Sequence, residues 1–128
     1  MILNKIHHIA IICSNYERSK YFYTNILELK IVKETYRQER NSYKLDLAIG
    51  NNYQIELFSF QKAPKRLSYP EGCGLRHLAF EVDNIEGVVE ELKFKGIEVE
   101  KIRIDEITGK KFTFFEDPDE LPIEIYEK

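Results

Sequence analysis

The 128-residue chain is poor in cysteine, in long apolar runs and in clustered charge. Its two cysteines, Cys13 and Cys73, make no disulfide framework and no CxxC motif. A reducing, cytoplasmic location is therefore expected. The longest uninterrupted apolar stretch is Ile9 to Cys13, far short of a membrane span. Met1-Ile2-Leu3-Asn4-Lys5 lacks the layout of a signal peptide. Nowhere do five like charges follow one another, and the net charge is 19 − 22 = −3. These features argue against a nucleic-acid-binding arm and a polybasic membrane anchor. What is present suits a folded domain: 43% hydrophobic and 32% charged residues. A chain of this length is one ordinary domain that buries roughly two-thirds of its unfolded surface.

The chain repeats itself. Residues 8–17 read HIAIICSNYE and residues 77–86 read HLAFEVDNIE, with identities at 8/77, 10/79, 15/84 and 17/86. A second match aligns YQIELF at 53–58 with LPIEIY at 121–126. The offsets are 69 and 68, and the matches come in the same order, as a duplicated unit requires. One domain over 1–128 is expected, with a first module at about 1–60 and a second at about 73–128. The connector, about 61–72, holds Pro64, Pro70 and Gly72.

Both modules share one grammar. Ile6 to Cys13 and Leu75 to Val82 are rich in β-branched and apolar residues and predict strands. Ser14-Asn15-Tyr16-Glu17 reads as a capping box built on Ser14 and Glu17, and Asp83-Asn84-Ile85-Glu86 caps a second helix. Ser19, Phe22, Tyr23, Ile26 and Leu27 recur at helical spacing, as do Ile85, Val88, Val89 and Leu92, with Gly96 as a stop. Three strands are expected after each helix, near 29–38, 43–50 and 53–60, then near 97–104, 110–116 and 121–127. Gly50-Asn51-Asn52, Thr108-Gly109 and Asp117-Pro118-Asp119 mark the turns. The fold class is α+β: two tandem βαβββ modules.

The repeat places a histidine on each first strand, His8 and His77, and a glutamate on each last strand, Glu56 and Glu124. Strand alternation sets Gln54, Glu56 and Phe58 on one face and Ile55 and Leu57 on the other. If the aliphatic residues pack on the helix, Glu56 lies on the opposite, concave face, and the same parity holds for Glu124. Ala10 and Ala79 share the faces of the two histidines and leave space for an ion or ligand. A pseudo-twofold packing of the modules would gather all four side chains. Two imidazoles and two carboxylates suit a divalent metal such as zinc, nickel, cobalt or iron. A single strand histidine is more often a structural hydrogen-bonder, and a single strand glutamate more often faces water. Recurrence of the pair at matched places favours the metal reading over a duplication that kept no metal. His7 has no counterpart, because Arg76 stands at its place, and alternation points it away from the site.

The repeat, the four-residue set and the ending Phe114-Phe115-Glu116-Asp117-Pro118-Asp119-Glu120-Leu121-Pro122-Ile123-Glu124 resemble the vicinal oxygen chelate superfamily of glyoxalases, bleomycin-resistance proteins and extradiol dioxygenases. His7-His8-Ile9-Ala10-Ile11, Ile55-Glu56-Leu57-Phe58-Ser59-Phe60 and Gly74-Leu75-Arg76-His77-Leu78-Ala79-Phe80 look most like its small bacterial YaeR-like, lactoylglutathione lyase-like branch. The resemblance implies paired modules forming a curved mixed sheet around a metal. It implies His8, Glu56, His77 and Glu124 as ligands, and nickel, zinc or cobalt as the ion, with manganese or iron as further choices. Glutamate at position 56, where methylmalonyl-CoA epimerases typically carry glutamine, tilts the implied activity toward a lyase. The implied reaction isomerises the hemithioacetal of a 2-oxoaldehyde and a thiol, with Glu124 as the principal base and Glu56 as the symmetric alternative. One departure from the family is Glu120, where glycine often follows Asp-Pro-Asp.

Other readings share the scaffold: an epimerase, a thiol transferase, a metal-free module that sequesters a small drug, or a purely structural homodimer. The expected partners are a small-molecule substrate and a second copy of the chain, with no nucleic acid and no membrane. Arg37, Arg40, Arg103 and Lys111 are candidates to pair with a substrate carboxylate, against the plainer reading of solvated charges. Phe58, Phe112 and Phe114 either line the cleft or belong to the core. Neither Cys13 nor Cys73 has a clear activating partner in the sequence, and both read as small apolar residues.

Overall fold

Each first strand is short and feeds a helix through an asparagine. Strand β1 (Ile9–Cys13) is followed by α1 (Tyr16–Tyr21), and β5 (Leu78–Val82) by α2 (Ile85–Phe94). Asn15 accepts from the Arg18 amide at 3.1 Å, and Asn84 from the Gly87 amide at 3.0 Å. Such caps satisfy one of the free amides at a helix start and are worth about 1 kcal/mol. The cap of α1 is thus Asn15 and not Ser14. The helix begins one residue later than a Ser14 box requires, and the repeat pairs the two asparagines. Past Tyr21 the first helix widens into a π-helical turn over Phe22–Ile26, closed by the Leu27 amide on the Phe22 carbonyl at 3.0 Å. The second helix stops at Gly96, whose φ of +83° suits glycine.

The computed structural model describes residues 1–128 as two units, Met1–Lys65 and Arg66–Lys128. The first holds β2 (Lys30–Arg37), β3 (Ser42–Ile49) and β4 (Asn52–Ser59), in a sheet of order β1-β4-β3-β2. The second holds β6 (Arg103–Ile104), β7 (Lys111–Glu116) and β8 (Pro122–Glu127), in a sheet of order β5-β8-β7-β6. Each sheet is mixed: the first strand runs parallel to the last, and the other pairings are antiparallel. The two sheets have one topology, as a duplication requires. No helix is long and apolar enough to cross a membrane.

Alternation divides each sheet into an apolar face and a polar one. In the first unit Ile11, Cys13, Leu45, Leu47, Ile55 and Leu57 are buried, together with Tyr16, Phe22, Tyr23 and Ile26 of the helical segment. In the second, Leu78, Ile123, Ile125 and Phe115 are buried together with Ile85, Val89 and Leu92 of α2. Each such aliphatic side chain contributes about 1.5–3 kcal/mol when fully buried. The opposite faces carry Ala10, Glu56 and Phe58, and Ala79, Glu124 and Phe114.

Three expectations need correction. Both first strands are shorter than expected, so His8 and His77 each stand one residue before a strand. The segment expected as a strand at 97–104 pairs only at Arg103–Ile104. Upstream of it, Thr113 Oγ1 donates to the Glu100 carbonyl at 2.8 Å and the Glu100 amide donates to the Phe114 carbonyl at 2.9 Å. These bonds replace a regular ladder. Cys13 is a buried small residue, but Cys73 is exposed and so is no part of a core.

Candidate metal centre

In the first unit, β1 lies beside β4 in a register that sets Ala10 opposite Glu56. In the second, β5 lies beside β8 with Ala79 opposite Glu124. The residue before each alanine-bearing strand then reaches the glutamate. His8 Nε2 lies 2.9 Å from Glu56 Oε2, and His77 Nε2 lies 3.1 Å from Glu124 Oε2. The structure therefore forms two matching histidine–glutamate pairs, one in each unit. Within these units no group of three or more His, Cys, Asp or Glu side chains gathers as a metal site.

The surroundings of the two carboxylates differ. Glu56 is buried, with 11% of its side chain exposed. Its Oε1 accepts from Lys44 Nζ at 2.8 Å and from Tyr53 Oη at 2.5 Å. Burial pushes the Glu56 carboxyl up, but the Lys44 ammonium and the Tyr53 hydroxyl outweigh it and hold the group below the usual glutamate range. Burial and the Glu56 carboxylate push the Tyr53 hydroxyl well above its ordinary value. Lys44 also lies 3.2 Å from Asp46, which stands opposite Glu56 in the β3–β4 register. Glu124 instead stands opposite Phe114, whose ring meets His77 edge-on at 5.2 Å. His77 is the polar partner that the chain offers Glu124.

Does this donor set suit a divalent ion? Each pair holds its nitrogen and oxygen at hydrogen-bond distance, and neutral imidazole nitrogen with carboxylate oxygen is a common donor combination for divalent ions. A ligating histidine usually anchors its second nitrogen as well. His8 Nδ1 lies 2.9 Å from His7 Nδ1, where one ring nitrogen donates and the other accepts. His77 Nδ1 is buried without an acceptor. The donors fit, and the histidine anchoring is complete only at His8.

A sequence profile of the glyoxalase/bleomycin resistance protein/dioxygenase superfamily matches residues 5–125. The chain belongs to this superfamily. It is 59% identical to the protein YwkD of Bacillus subtilis (strain 168), over the full length of both chains. It is 52% identical to YaeR of Escherichia coli (strain K12) over 98% of each chain. The crystal structure of a glyoxalase family protein from Enterococcus faecalis superposes with a TM-score of 0.90 at 49% identity, covering 99% of this chain and all of that one. The paired modules read from the sequence are thus those of the superfamily fold.

Sequence reasoning missed Lys44, Asp46 and Tyr53 around Glu56. A plain two-residue hairpin through Gly50-Asn51 would set Leu45 opposite Glu56. The register shifts between Leu47 and Ala48, so that Gln54 is an extra residue on β4 and Asp46 faces Glu56 instead. The same bulge brings Tyr53 to the glutamate's face, although simple alternation assigns it to the other. His7 is corrected too. It precedes β1, where alternation does not apply, and its ring packs edge-on against His8 at 5.1 Å and Tyr53 at 5.7 Å.

The four candidate cations separate clearly. Lys111 bonds Glu86 of α2, and Arg103 lies 3.3 Å from Glu100. Arg40 is exposed on the turn after β2. Arg37 is half-buried and stacks on Phe58. Phe58, Phe112 and Phe114 are all half-buried on the polar faces of their sheets, outside the aliphatic core.

Proposed function

We propose that this protein is a metal-dependent lyase of the glyoxalase I type, acting on the hemithioacetal of a 2-oxoaldehyde and a thiol. The observation that carries this reading is the recurrence of one histidine–glutamate pair, at 2.9 and 3.1 Å, in two units of the same topology. His8, Glu56, His77 and Glu124 would hold one nickel, zinc or cobalt ion, with manganese or iron as further choices. Bound there, the ion would supply Lewis-acid polarisation of the substrate oxygens. Membership of the superfamily and the likeness to a glyoxalase family protein support the same reading.

The chain's own residues divide the remaining work. Glu124 takes the proton from the carbon bearing the hydroxyl and the thioether sulfur and returns it to the neighbouring carbonyl carbon, while the hydroxyl proton passes to the former carbonyl oxygen, so that the product is the thioester of a 2-hydroxy acid. It suits this role because, apart from the ion it would help to hold, His77 is its one polar partner, so the chain itself opposes its movement little. Glu56 is held by Lys44 and Tyr53 and stays in place as a ligand. Lys44 offsets part of the negative charge that two carboxylates bring to one site. A homodimer in the cytoplasm is the proposed assembly and location, symmetric pairs being the commonest oligomers.

Elemental analysis of untagged protein purified without chelator tests the reading. About one divalent ion per chain is expected, lost in both His8→Ala and His77→Ala. Metal-free protein that takes up none on dialysis would overturn it and favour a small-molecule-binding module.

A further inference from the structure

Arg37 ends β2 opposite Ser42, on the face of the sheet that carries Glu56. Its guanidinium carbon lies 4.7 Å from the Phe58 ring centre and 5.7 Å from that of Phe60, and the two rings stack 6.2 Å apart. Nη2 donates to Ser42 Oγ at 2.9 Å. The Ser42 hydroxyl donates in turn to the Ser59 carbonyl, which fixes the serine as an acceptor for the arginine. Nε is buried and meets no acceptor. Of five guanidinium N–H groups the chain engages one, and it places no carboxylate beside the charge.

The second unit shows what a purely structural version of this stack looks like. Arg103 lies over Phe112 at 5.0 Å and Phe114 at 5.8 Å, and Glu100 answers its charge at 3.3 Å. Arg37 has the same aromatic platform and no such answer. Stacking orients the planar fork but does not satisfy its N–H groups. The buried Nε–H is costly to keep without an acceptor, and the other unengaged N–H groups are open to solvent or to a ligand. Phe58, beneath the guanidinium, is two residues along β4 from Glu56, or about 7 Å at strand rise. Lys44, opposite Phe58, is already committed to Glu56 and Asp46.

We infer that Arg37 is a specificity-determining residue that binds a carboxylate carried by the substrate about 7 Å from its reacting end, through the paired N–H geometry of the guanidinium. This rests on the lyase reading for the location of the reacting end. It narrows the substrate class to adducts with a carboxylate on one arm and disfavours neutral ones.

Binding of stable thioether probes tests it. Purified protein, with and without added nickel, is titrated calorimetrically with methylthio carboxylates of two to five carbons and with their amides. At least one acid should bind about tenfold or more tightly than its amide, as a charge-assisted bond predicts. Arg37→Gln should erase that preference. Arg37→Lys, which keeps the charge and loses the fork, should lose at least about threefold and serves where the glutamine variant fails to melt cooperatively. Equal binding of acid and amide, no binding of either, or a preference that survives in the variants would overturn the assignment. Acid preference without turnover of any hemithioacetal would sink the lyase reading alone. Turnover without acid preference would sink only the role of Arg37.

Discussion

Replacing each glutamate of the candidate centre with glutamine should have unequal effects, because the chain holds the two carboxylates differently. Glu56 Oε1 accepts from Lys44 at 2.8 Å and from Tyr53 at 2.5 Å, whereas Glu124 meets only His77, at 3.1 Å. A hydrogen bond to a charged group is worth about 1.5–3 kcal/mol. Lys44 is 30% exposed, so solvent weakens its share and the low end applies. Two such bonds make moving Glu56 about 3 kcal/mol costlier than moving Glu124, a factor of about 100 in the population free to act as base. Glu124→Gln should therefore lower turnover by about 10²–10⁴-fold, the usual contribution of a positioned base. Glu56→Gln should act mainly on metal retention, with a smaller loss of turnover once saturating metal is restored. The assay follows hemithioacetal consumption by absorbance. Incorporation of solvent deuterium into the product, read by NMR, reports the proton step itself. Both variants are compared at equal measured metal content and with matching thermal melts. Wild-type turnover in metal-loaded Glu124→Gln, or a larger loss of proton transfer in Glu56→Gln, would refute the asymmetry.

Metal supplied at about 100 times its dissociation constant should stabilise the protein by about 2.7 kcal/mol and raise Tm by several degrees. His77→Ala should show no such rise in differential scanning calorimetry, and a full rise would exclude His77 as a ligand. Glu120 adopts φ +66°, a left-handed conformation that costs a side chain about 1 kcal/mol. Glu120→Gly should therefore raise the urea midpoint, and a lower midpoint would show that the Glu120 side chain stabilises the turn. Lys20, and then Tyr16, hold the Glu34 carboxyl below the usual range. The stability Glu34 adds is complete above the ordinary glutamate value of about 4.3 and is lost as pH falls through its lower folded value. The difference in urea midpoint between wild type and Glu34→Gln should shrink from pH 6 to pH 3, and a constant difference would contradict the linkage.

Much of this architecture was legible because duplication writes the same signals twice. The helix-capping segments, the histidine–alanine strand starts and the isoleucine–glutamate strand ends recur at offsets of 69 and 68, although the first cap is Asn15 and not the Ser14 that its segment suggests. Alternation correctly placed Glu56 and Glu124 on the face away from the aliphatic core, since side-chain direction along a strand is a local property. The strand edges were less legible. A ladder ends where a neighbouring strand ends, which is why His8 and His77 fall just outside β1 and β5 and why 97–102 leaves the sheet.

The amino-acid order by itself determined the duplicated βαβββ plan, the positions of both helices and the matched histidine and glutamate positions. All of these follow from local periodicity, capping chemistry and repetition. Only the tertiary structure decided what surrounds each carboxylate. The bulge at Gln54 shifts β3 by one residue, exchanges Leu45 for Asp46 opposite Glu56 and turns Tyr53 toward it. Register is a property of two strands together, and one extra residue in a ladder exchanges the faces of everything beyond it. The same pairing logic left Arg37 stacked on Phe58 without a carboxylate, while Arg103 found Glu100.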